Sequence, residues 1–554
     1  MNRFLLGLIL SPALFAQQPY DAVLTSGRIV DGTGNAWFYG DLAIRDGRIA
    51  RIAPPGVLRN APATERIDVT GLVVAPGFFD IQSHSRDAFL SKDGRVISKV
   101  TQGVTTEIMG EGWTNAPSND KTMMGERETG RAENAPFEGP HGFDAWLKTM
   151  KAHGASANFG SFVGATTIRQ YVKGMAQGAP TADEVESMQT LVRQAMEDGA
   201  FGIASALIYP PGNYATTAEL GAMAKAMAPF GGVYITHMRS EADQFLEGID
   251  EAMEIGRMGG VPVEIYHLKA AGKRNWPKAR EAIAKIDAAR AAGVDVSADM
   301  YPYVAGGTGL TAVLPPWTAA DGKLFDNLAD PQVRVKIRAE MQSEKTEWEN
   351  MGQLAGPENI LIVGIDKDEN KQYVGKRLSE IAKMMNKDWM DAAMDLILSE
   401  HKRVETIYFL MNEDNVKLQL QQPWIKIGTD SAGLDPDQTK DLAHPRSYGT
   451  FPRILGKYSR DEHVMPLEDA VRKMTSAVAR RLSIQDRGLL QEGLWADIAV
   501  FDARTIIDHA TYEQPHQLST GVKYVFVNGV AVVRDGKHTG AEPGQIVRGP
   551  GYVK

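Results

Sequence analysis

Cysteine is absent from the 554 residues of this chain. This absence excludes disulfides, thiolate zinc sites, iron–sulfur clusters and cysteine nucleophiles. Any metal ion that side chains bind must therefore be held by His, Asp, Glu or Gln.

An excess of positive charge is also lacking, since 60 basic and 69 acidic side chains give a formal net charge of −9. Phosphate binding needs clustered Lys and Arg, so this balance argues against a nucleic-acid partner. Hydrophobic residues make up 43% of the chain and charged residues 23%, which is typical of a folded globular protein and excludes wholesale disorder.

The N-terminal residues have the pattern of a secretory signal peptide. Arg3 supplies one positive charge, residues 4–15 are mostly apolar, and Ala16 precedes a polar stretch. The run is too short to span a membrane, and no cysteine is available for lipidation. We therefore predict that residues 1–16 are removed and that the protein is exported, periplasmic or secreted, without a membrane anchor. A buried N-terminal strand or helix is the alternative.

Both ends of the chain contain short β-like segments separated by turn residues. Near the C terminus, Asn528-Gly529 stands between two apolar alternations, which is a strong hairpin signal. We predict that residues 19–74 and 482–550 together form one small β-sandwich domain.

The middle of the chain, residues 75–481, alternates between short apolar runs and helical patterns such as residues 241–258. This repetition favours a parallel sheet, either closed as a barrel or left open. Residues 321–420 are richer in charge and Met, and we expect them to be an inserted helical segment. The insertion acts as a lid over the barrel or as helical filler.

Four potential metal ligands directly follow short apolar runs, where parallel strands are expected to end: His84, His237, His267 and Asp430. The carboxyl ends of barrel strands form the catalytic face, so these side chains are expected to converge. Imidazole and carboxylate suit zinc when thiolate is unavailable. One such histidine is more often structural, but the whole set predicts a metal site.

Several sequence blocks occur in the order seen in the amidohydrolase superfamily, and the chain resembles its N-acyl-D-amino-acid deacylases (D-aminoacylases). These blocks are residues 74–80 (VAPGFFD), 103–106 (GVTT), 206–212 (ALIYPPG), 236–241 (THMRSE), 267–272 (HLKAAG), 301–303 (YPY) and 444–453 (HPRSYGTFPR). The resemblance implies an α/β fold, a (β/α)₈ TIM-like barrel of the amidohydrolase type with a small β-sandwich domain formed by both termini. It also implies zinc-dependent hydrolysis of the linear amide of an N-acyl-D-amino acid, giving a carboxylate and a free D-amino acid.

The resemblance also implies roles for individual residues. His237 and His267 match the ligands of the family's tightly bound metal ion. Asp430 matches a metal-side aspartate that acts as general base and then as general acid, with water activated at the metal.

The chain departs from the family pattern at two metal-binding positions. The family's early His-x-His motif reads Gln82-Ser83-His84 here, so an amide replaces the first imidazole. When Ala116-Pro117 are matched, Glu111 stands where many relatives place a bridging cysteine, and a carboxylate is a sound metal ligand. We therefore expect one tightly bound Zn²⁺ at Glu111, His237 and His267, and a weak or absent second ion beside His84, Gln82 and Asp430.

Three residues are candidates for substrate binding. Arg446 matches the family arginine that binds the substrate α-carboxylate, which a guanidinium engages with two hydrogen bonds. Lys269 and Tyr301 are lesser candidates. The expected partner is a small N-acyl amino acid or short peptide. Alternatives are another amidohydrolase activity, such as a D- or iso-dipeptidase or a cyclic-amide hydrolase, and an inactive metal-binding homologue.

Overall fold

The computed structural model describes residues 18–123 and 137–553. The signal peptide expected at residues 1–16 lies outside these ranges. Among the described residues, no helix combines the length and the apolar character that crossing a bilayer requires.

The strands occur throughout the described chain. They are β1 (Tyr20–Ile29), β2 (Phe38–Arg45), β3 (Arg48–Ala53), β4 (Ala63–Asp68), β5 (Val73–Pro76), β6 (Phe78–Asp80), β7 (Val104–Met109), β8 (Asn158–Ser161), β9 (Val163–Gly164), β10 (Gly202–Ala206), β11 (Val233–His237), β12 (Val263–Ile265), β13 (Val296–Met300), β14 (Ala305–Gly309), β15 (Ile360–Gly364), β16 (Glu405–Phe409), β17 (Ile425–Ile427), β18 (Ile498–Phe501), β19 (Val522–Val527), β20 (Val530–Arg534) and β21 (Lys537–His538).

The α-helices are concentrated between β6 and β18. They are α1 (Arg86–Ser91), α2 (Ile97–Val100), α3 (Gly142–His153), α4 (Ala165–Lys173), α5 (Ala182–Glu197), α6 (Thr217–Met227), α7 (Phe245–Gly259), α8 (Lys278–Ala291), α9 (Leu324–Ala329), α10 (Pro331–Gln342), α11 (Met351–Ala355), α12 (Leu378–Met384), α13 (Trp389–Glu400), α14 (Glu413–Leu420), α15 (Arg446–Arg453), α16 (Leu467–Met474) and α17 (Ser476–Arg481). A π-helical segment, Ile454–Asp461, continues α15.

Both ends of the chain build one sheet, as the sequence predicts. Its strand order is β21-β20-β19-β18-β5-β1-β2-β3, and β4 pairs with β1. The two ends meet where β18 pairs antiparallel with β5, with Ile498 opposite Pro76. The Asn528-Gly529 turn joins β19 to β20 as the hairpin signal predicts.

A closed parallel barrel forms the centre of the molecule. The strands β6, β7 and β8 are neighbours, and β9 to β13 and β17 continue the ring. A backbone hydrogen bond of 2.8 Å from Asp430 N to Gln82 O joins the ends of β17 and β6 and closes it. Strands such as β10 and β11 are buried at every position because side chains fill the interior and helices cover the outside. The predicted fold class is confirmed.

The insertion differs from the helical segment expected at residues 321–420. Three antiparallel strands, β14, β16 and β15, form a sheet that begins at Ala305, and α9 to α13 pack around a separate apolar core. The last helix of residues 321–420, α14, follows the insertion in the sequence and precedes β17. It packs on α8 of the barrel and so belongs to the barrel. The apolar run at residues 360–363 is a buried strand, and a short apolar run does not by itself distinguish a strand from a buried helix.

Residues 544–549 contact the barrel, although the sequence pattern places them with the β domain. Phe159 N donates to Gln545 O at 3.0 Å, and Val547 N donates to Phe159 O at 2.7 Å. This part of the chain therefore pairs alongside β8 at the side of the barrel.

Candidate functional site

A cavity of about 690 Å³ lies at the carboxyl ends of the barrel strands. Barrel residues form its floor, and the strands of the insertion form part of its wall. Each predicted metal-binding side chain reaches this cavity because its strand ends at that residue or a few residues before it. His267 and Asp430 adopt positive φ values of 32° and 50°, which turn the chain away from the strand direction at these points.

The first group consists of Glu111, His237 and His267, and one carboxylate oxygen of Glu111 lies close to both histidines. Glu111 Oε1 lies 3.2 Å from His237 Nδ1 and 3.3 Å from His267 Nε2. Zn–N and Zn–O bonds of about 2.0–2.2 Å place the ligands of a tetrahedral ion roughly 3.4 Å apart. The observed spacing and the donor types therefore fit one divalent ion bound by Glu111, His237 and His267.

A second group faces the other oxygen of the same carboxylate. Glu111 Oε2 lies 3.2 Å from His84 Nε2, and His84 Nε2 lies 2.9 Å from Asp430 Oδ1. His84 is the most open member, with 42% of its side chain exposed. This group has the spacing of a metal site as well.

Gln82 enters the second group as a hydrogen-bond donor. Its Nε2 donates to Glu111 Oε2 at 2.6 Å. Turning the amide over would place its oxygen against a carboxylate oxygen, which is repulsive, so Glu111 determines the amide orientation. An N–H in this position cannot donate a lone pair to an ion.

The carboxylates and imidazoles strongly shift each other's pKa. Burial favours the neutral form of Glu111, but His267 and His237 outweigh it and hold its pKa well below the usual range. Burial and Lys269 favour neutral His267, but Glu241 and Glu111 raise its pKa to about 10. The carboxylate of Glu111 is therefore ionised at neutral pH. Metal binding also requires neutral histidines, so an ion that binds here displaces the proton of His267.

Arg446 lies beside the predicted general base. Its Nη1 is 2.7 Å from Asp430 Oδ2, its Nη2 is 3.4 Å from Gly307 O, and its guanidinium lies 4.7 Å from the centre of the Tyr301 ring. Burial raises the pKa of Asp430, but Arg446 outweighs burial and lowers it. The cavity therefore contains Asp430 as a carboxylate and Arg446 as a cation.

Lys269 also reaches the cavity, but another side chain holds its ammonium. Lys269 Nζ lies 2.7 Å from both carboxylate oxygens of Glu241 and 2.7 Å from His267 Nδ1. In this arrangement Lys269 contacts the predicted metal site through Glu241 and His267.

His444 takes no part in either metal-binding group. Its Nε2 donates to Ala305 O at 2.9 Å, and its Nδ1 accepts from Arg446 N at 3.1 Å. Burial and the charge of Arg446 lower its pKa well below the usual value, so the ring is neutral. His444 therefore orients the backbone of Arg446.

The sequence analysis did not identify a buried ion cluster beneath the site. Lys99 is fully buried, and its Nζ lies 2.5 Å from Asp80 Oδ2, 2.6 Å from Thr429 Oγ1 and 2.7 Å from Ser431 O. Because Thr429 and Ser431 flank Asp430, Lys99 holds the end of β17 against β6. A carboxylate at Asp80, inside an apolar run, was the available signal.

Glu241 and Glu349 are two further residues that the sequence analysis missed. Glu349, from the insertion, accepts from Glu241 N at 2.6 Å. Glu241 lies in the THMRSE block, where a carboxylate four residues after a metal-ligand histidine was the available signal.

A closed parallel barrel with histidines and carboxylates at its carboxyl end defines a class of metal-dependent hydrolases. Residues 381–533 match the model of the amidohydrolase family. The chain is 35% identical over 534 residues to a D-aminoacylase of Alcaligenes xylosoxydans xylosoxydans, covering 96% of this chain and 98% of that protein. It is 33% identical to an N-acyl-D-glutamate deacylase of the same organism, covering 96% and 97%.

Solved structures agree with these matches. An N-acyl-D-glutamate deacylase from Bordetella bronchiseptica, in complex with zinc and a phosphonate inhibitor, superimposes with a TM-score of 0.80 at 32% identity, covering 96% of this chain and 100% of that one. A D-aminoacylase with a binuclear metal centre gives a TM-score of 0.79 at 33% identity and the same coverage. The protein belongs to the amidohydrolase family, in its N-acyl-D-amino-acid deacylase branch.

Proposed function

We propose that the protein is a zinc-dependent hydrolase that cleaves the amide bond of N-acyl-D-amino acids into a carboxylate and a free D-amino acid. The observation that carries the proposal is the placement of Glu111, His237 and His267 next to the Asp430–Arg446 pair at the barrel mouth. Relatives that match almost end to end are named as deacylases of this substrate class.

Glu111, His237 and His267 would hold the catalytic ion. A divalent ion bound there supplies Lewis acidity, which polarises the scissile carbonyl and lowers the pKa of water. The protein contributes the charge and the orientation of the three ligands, because the Glu111 carboxylate is anionic and the two imidazoles are neutral once an ion binds.

Asp430 is the proposed general base and general acid. The neighbouring Arg446 lowers its pKa, so the carboxylate is free to accept a proton from the attacking water at neutral pH. Asp430 then returns this proton to the leaving amine. His84, 2.9 Å from Asp430 Oδ1, orients the carboxylate.

Arg446 is the proposed binding group for the substrate α-carboxylate. Its guanidinium is buried, faces the cavity and stacks on Tyr301, which restricts its orientation. A rigid fork of N–H donors pairs with a carboxylate through two hydrogen bonds. Tyr301 lies on the same side of the cavity and is a second candidate contact.

We further propose that only one ion binds tightly. The amide N–H of Gln82 occupies the Glu111 oxygen that would face a second ion. Metal analysis of the purified protein is expected to give one zinc per chain after dialysis, and the Gln82→His variant is expected to retain more. Two tightly held ions in the unmodified protein would contradict this stoichiometry.

The activity is tested by a turnover screen of zinc-loaded enzyme against N-acetyl-D-amino acids, N-acetyl-L-amino acids and short D-dipeptides. Hydrolysis of N-acetyl-D-amino acids that stops after chelation and returns with zinc is the expected result. The matched control is Asp430→Asn, which keeps the side-chain size but cannot act as a base. Hydrolysis of only dipeptides or cyclic amides would overturn the proposed substrate class.

Export of the protein is a further proposal, which rests on the pattern of residues 1–16. Sequencing the N terminus of the mature protein tests it. A mature chain that still starts at Met1 in the cytoplasm would contradict it.

A further inference from the structure

One buried carboxylate lies behind both histidines of the predicted metal site. Glu241 Oε1 is 2.8 Å from His267 Nδ1, and Glu241 Oε2 is 3.7 Å from His237 Nε2. These are the ring nitrogens that point away from Glu111. Glu241 therefore faces the outer nitrogen of each histidine.

Glu241 is held in this position from several sides. Lys269 Nζ contacts both of its oxygens at 2.7 Å, and its backbone N–H donates to Glu349 at 2.6 Å. Its carbonyl accepts from Ala271 N at 2.7 Å, and only 6% of its side chain is exposed. The carboxylate is thus fixed between the end of β11, the segment after β12 and the insertion.

The position of Glu241 bears on the tautomer and the ring orientation of the two histidines. A neutral histidine that binds an ion through one nitrogen carries its proton on the other, and a carboxylate behind it fixes the tautomer and the ring orientation. His267 Nε2 faces Glu111, so in the metal-bound form its proton belongs on Nδ1, 2.8 Å from Glu241 Oε1. Lys269 Nζ also lies 2.7 Å from this Nδ1, and because an ammonium only donates, its hydrogens then go to the two Glu241 oxygens rather than to the ring. The outer Nε2 of His237 is buried and has no hydrogen-bond partner in the described ranges, and Glu241 is the carboxylate before it.

We propose that Glu241 is the positioning residue that fixes the tautomer and orientation of both His237 and His267, with Lys269 as its counter-ion. This inference rests on the proposed metal-binding role of the two histidines. It also gives Lys269 a role besides the predicted substrate contact, because its ammonium pairs with Glu241.

The test is the zinc affinity of Glu241→Gln, measured by competition with a chromogenic chelator. Loss of such an outer carboxylate typically weakens metal binding by about 10–100-fold, and we expect a zinc Kd raised within this range. At saturating zinc, KM is expected to stay close to the unmodified value, because the proposal places Glu241 behind the histidines and not against the substrate. A Kd equal to that of the unmodified protein would overturn the proposal.

A second variant separates the loss of the carboxylate from the ammonium that it leaves unpaired. In Glu241→Gln/Lys269→Met both charges are gone, and thermal unfolding in chelator reports whether the chain still folds. The proposal predicts weak zinc binding in this double variant as well. Recovery of the unmodified Kd would instead show that the unpaired Lys269 caused the defect, and would overturn it.

Glu251→Gln is the matched control. Glu251 pairs at 2.9 Å with Arg239, which lies two residues before Glu241 in the chain. Its neutralisation is expected to leave the zinc Kd unchanged. Because the measurement is binding, a failed turnover screen with weakened zinc binding in Glu241→Gln would refute the proposed activity but leave this inference intact.

Discussion

Asp430 contacts two basic side chains, and its protonation depends on both. Arg446 lies 2.7 Å from one carboxylate oxygen and His84 lies 2.9 Å from the other. Burial alone would raise the pKa of Asp430, whereas Arg446 lowers it. A single guanidinium thus has two proposed duties, binding the substrate carboxylate and keeping the general base ionised.

The Arg446→Ala variant tests both duties. Loss of a charge-assisted hydrogen bond costs about 1.5–3 kcal/mol, so KM for N-acyl-D-amino acids is expected to rise at least about tenfold. Removing the cation also raises the pKa of Asp430, so the acid limb of the kcat profile is expected to move to higher pH. The control is Arg453→Ala in the same helix, whose side chain pairs with Asp508 instead. An unchanged KM would contradict the binding role.

Lys99 is fully buried, so it contributes to the site by holding neighbouring strands together and not by contacting a substrate. Substituting Lys99→Met leaves Asp80 as a buried carboxylate without its cation, and breaking a buried pair in this way typically costs about 3–5 kcal/mol. We expect a markedly lower Tm. The comparison is Lys285→Met, which removes a partly exposed pair with Asp250 and should cost about 0–1 kcal/mol. Equal losses in both variants would contradict the assigned role.

Among individual residues, the strand-end candidate ligands were visible in the sequence, whereas the side chains that hold them in place were not. His84, His237, His267 and Asp430 follow apolar runs, and that pattern is visible in one dimension. Glu241 and Lys99 act on those ligands from neighbouring segments, and only the three-dimensional contacts identify their partners.

At the scale of elements, one carboxylate of the insertion is hydrogen-bonded to the barrel mouth. Glu349 accepts the backbone N–H of Glu241, and burial together with the nearby Glu241 carboxylate raises the pKa of Glu349 to about 7. The insertion therefore carries a group that changes charge close to neutral pH at its contact with the site.

This contact predicts a pH dependence of stability. Glu349 holds its proton more tightly in the folded chain than at its ordinary pKa of 4.5, so its contribution is complete below about pH 4.5 and is lost as pH rises through 7. The loss is at most about 1.4 kcal/mol per pH unit in that window. In the presence of chelator, the Tm of Glu349→Gln minus the Tm of the unmodified protein is expected to increase between pH 5 and pH 8.

The exposed Glu344→Gln in the same segment is the control for this prediction and should follow the unmodified protein at every pH. If Glu349→Gln showed a constant Tm difference across the range, Glu349 would not be the titrating group.

The insertion shows that an apolar run in the sequence does not indicate which sheet the strand joins. The run at residues 360–363 has the composition of a barrel strand, yet it pairs antiparallel with β16 outside the barrel. Strand partners are chosen by the backbone hydrogen bonds of distant segments, so a run of apolar residues does not specify its sheet.

At the scale of the whole molecule, residues 544–549 near the C terminus are hydrogen-bonded to the side of the barrel. Backbone bonds from Gly544, Val547 and Gly549 reach barrel-side carbonyls at 2.7–2.8 Å, and Phe159 donates to Gln545 O at 3.0 Å. Arg548 also forms an ion pair with Asp144 at the start of α3.

Ending the chain after Gly540 is expected to destabilise the barrel. The four backbone hydrogen bonds contribute about 0.5–1.5 kcal/mol each, so a lower Tm is expected in thermal unfolding. Arg548→Ala, which keeps the backbone pairing and removes the side-chain contacts with Asp144, Asp198 and Tyr552, is expected to have a smaller effect. An equal effect of the two changes would mean that these side-chain contacts alone provide the stabilisation.

The sequence by itself determined the chemistry of this protein. Without cysteine, any metal site has to be built from imidazole and carboxylate, and strand-end residues in ordered family-like blocks identified most of the candidate ligands. Only the tertiary structure decided which side chains these candidates contact. It showed that the Gln82 amide donates to Glu111, that Lys269 pairs with Glu241, and that Arg446 contacts Asp430. The physical reason is that hydrogen bonds and charge pairs depend on distances between side chains that are far apart in the chain, and those distances exist only once the barrel has closed.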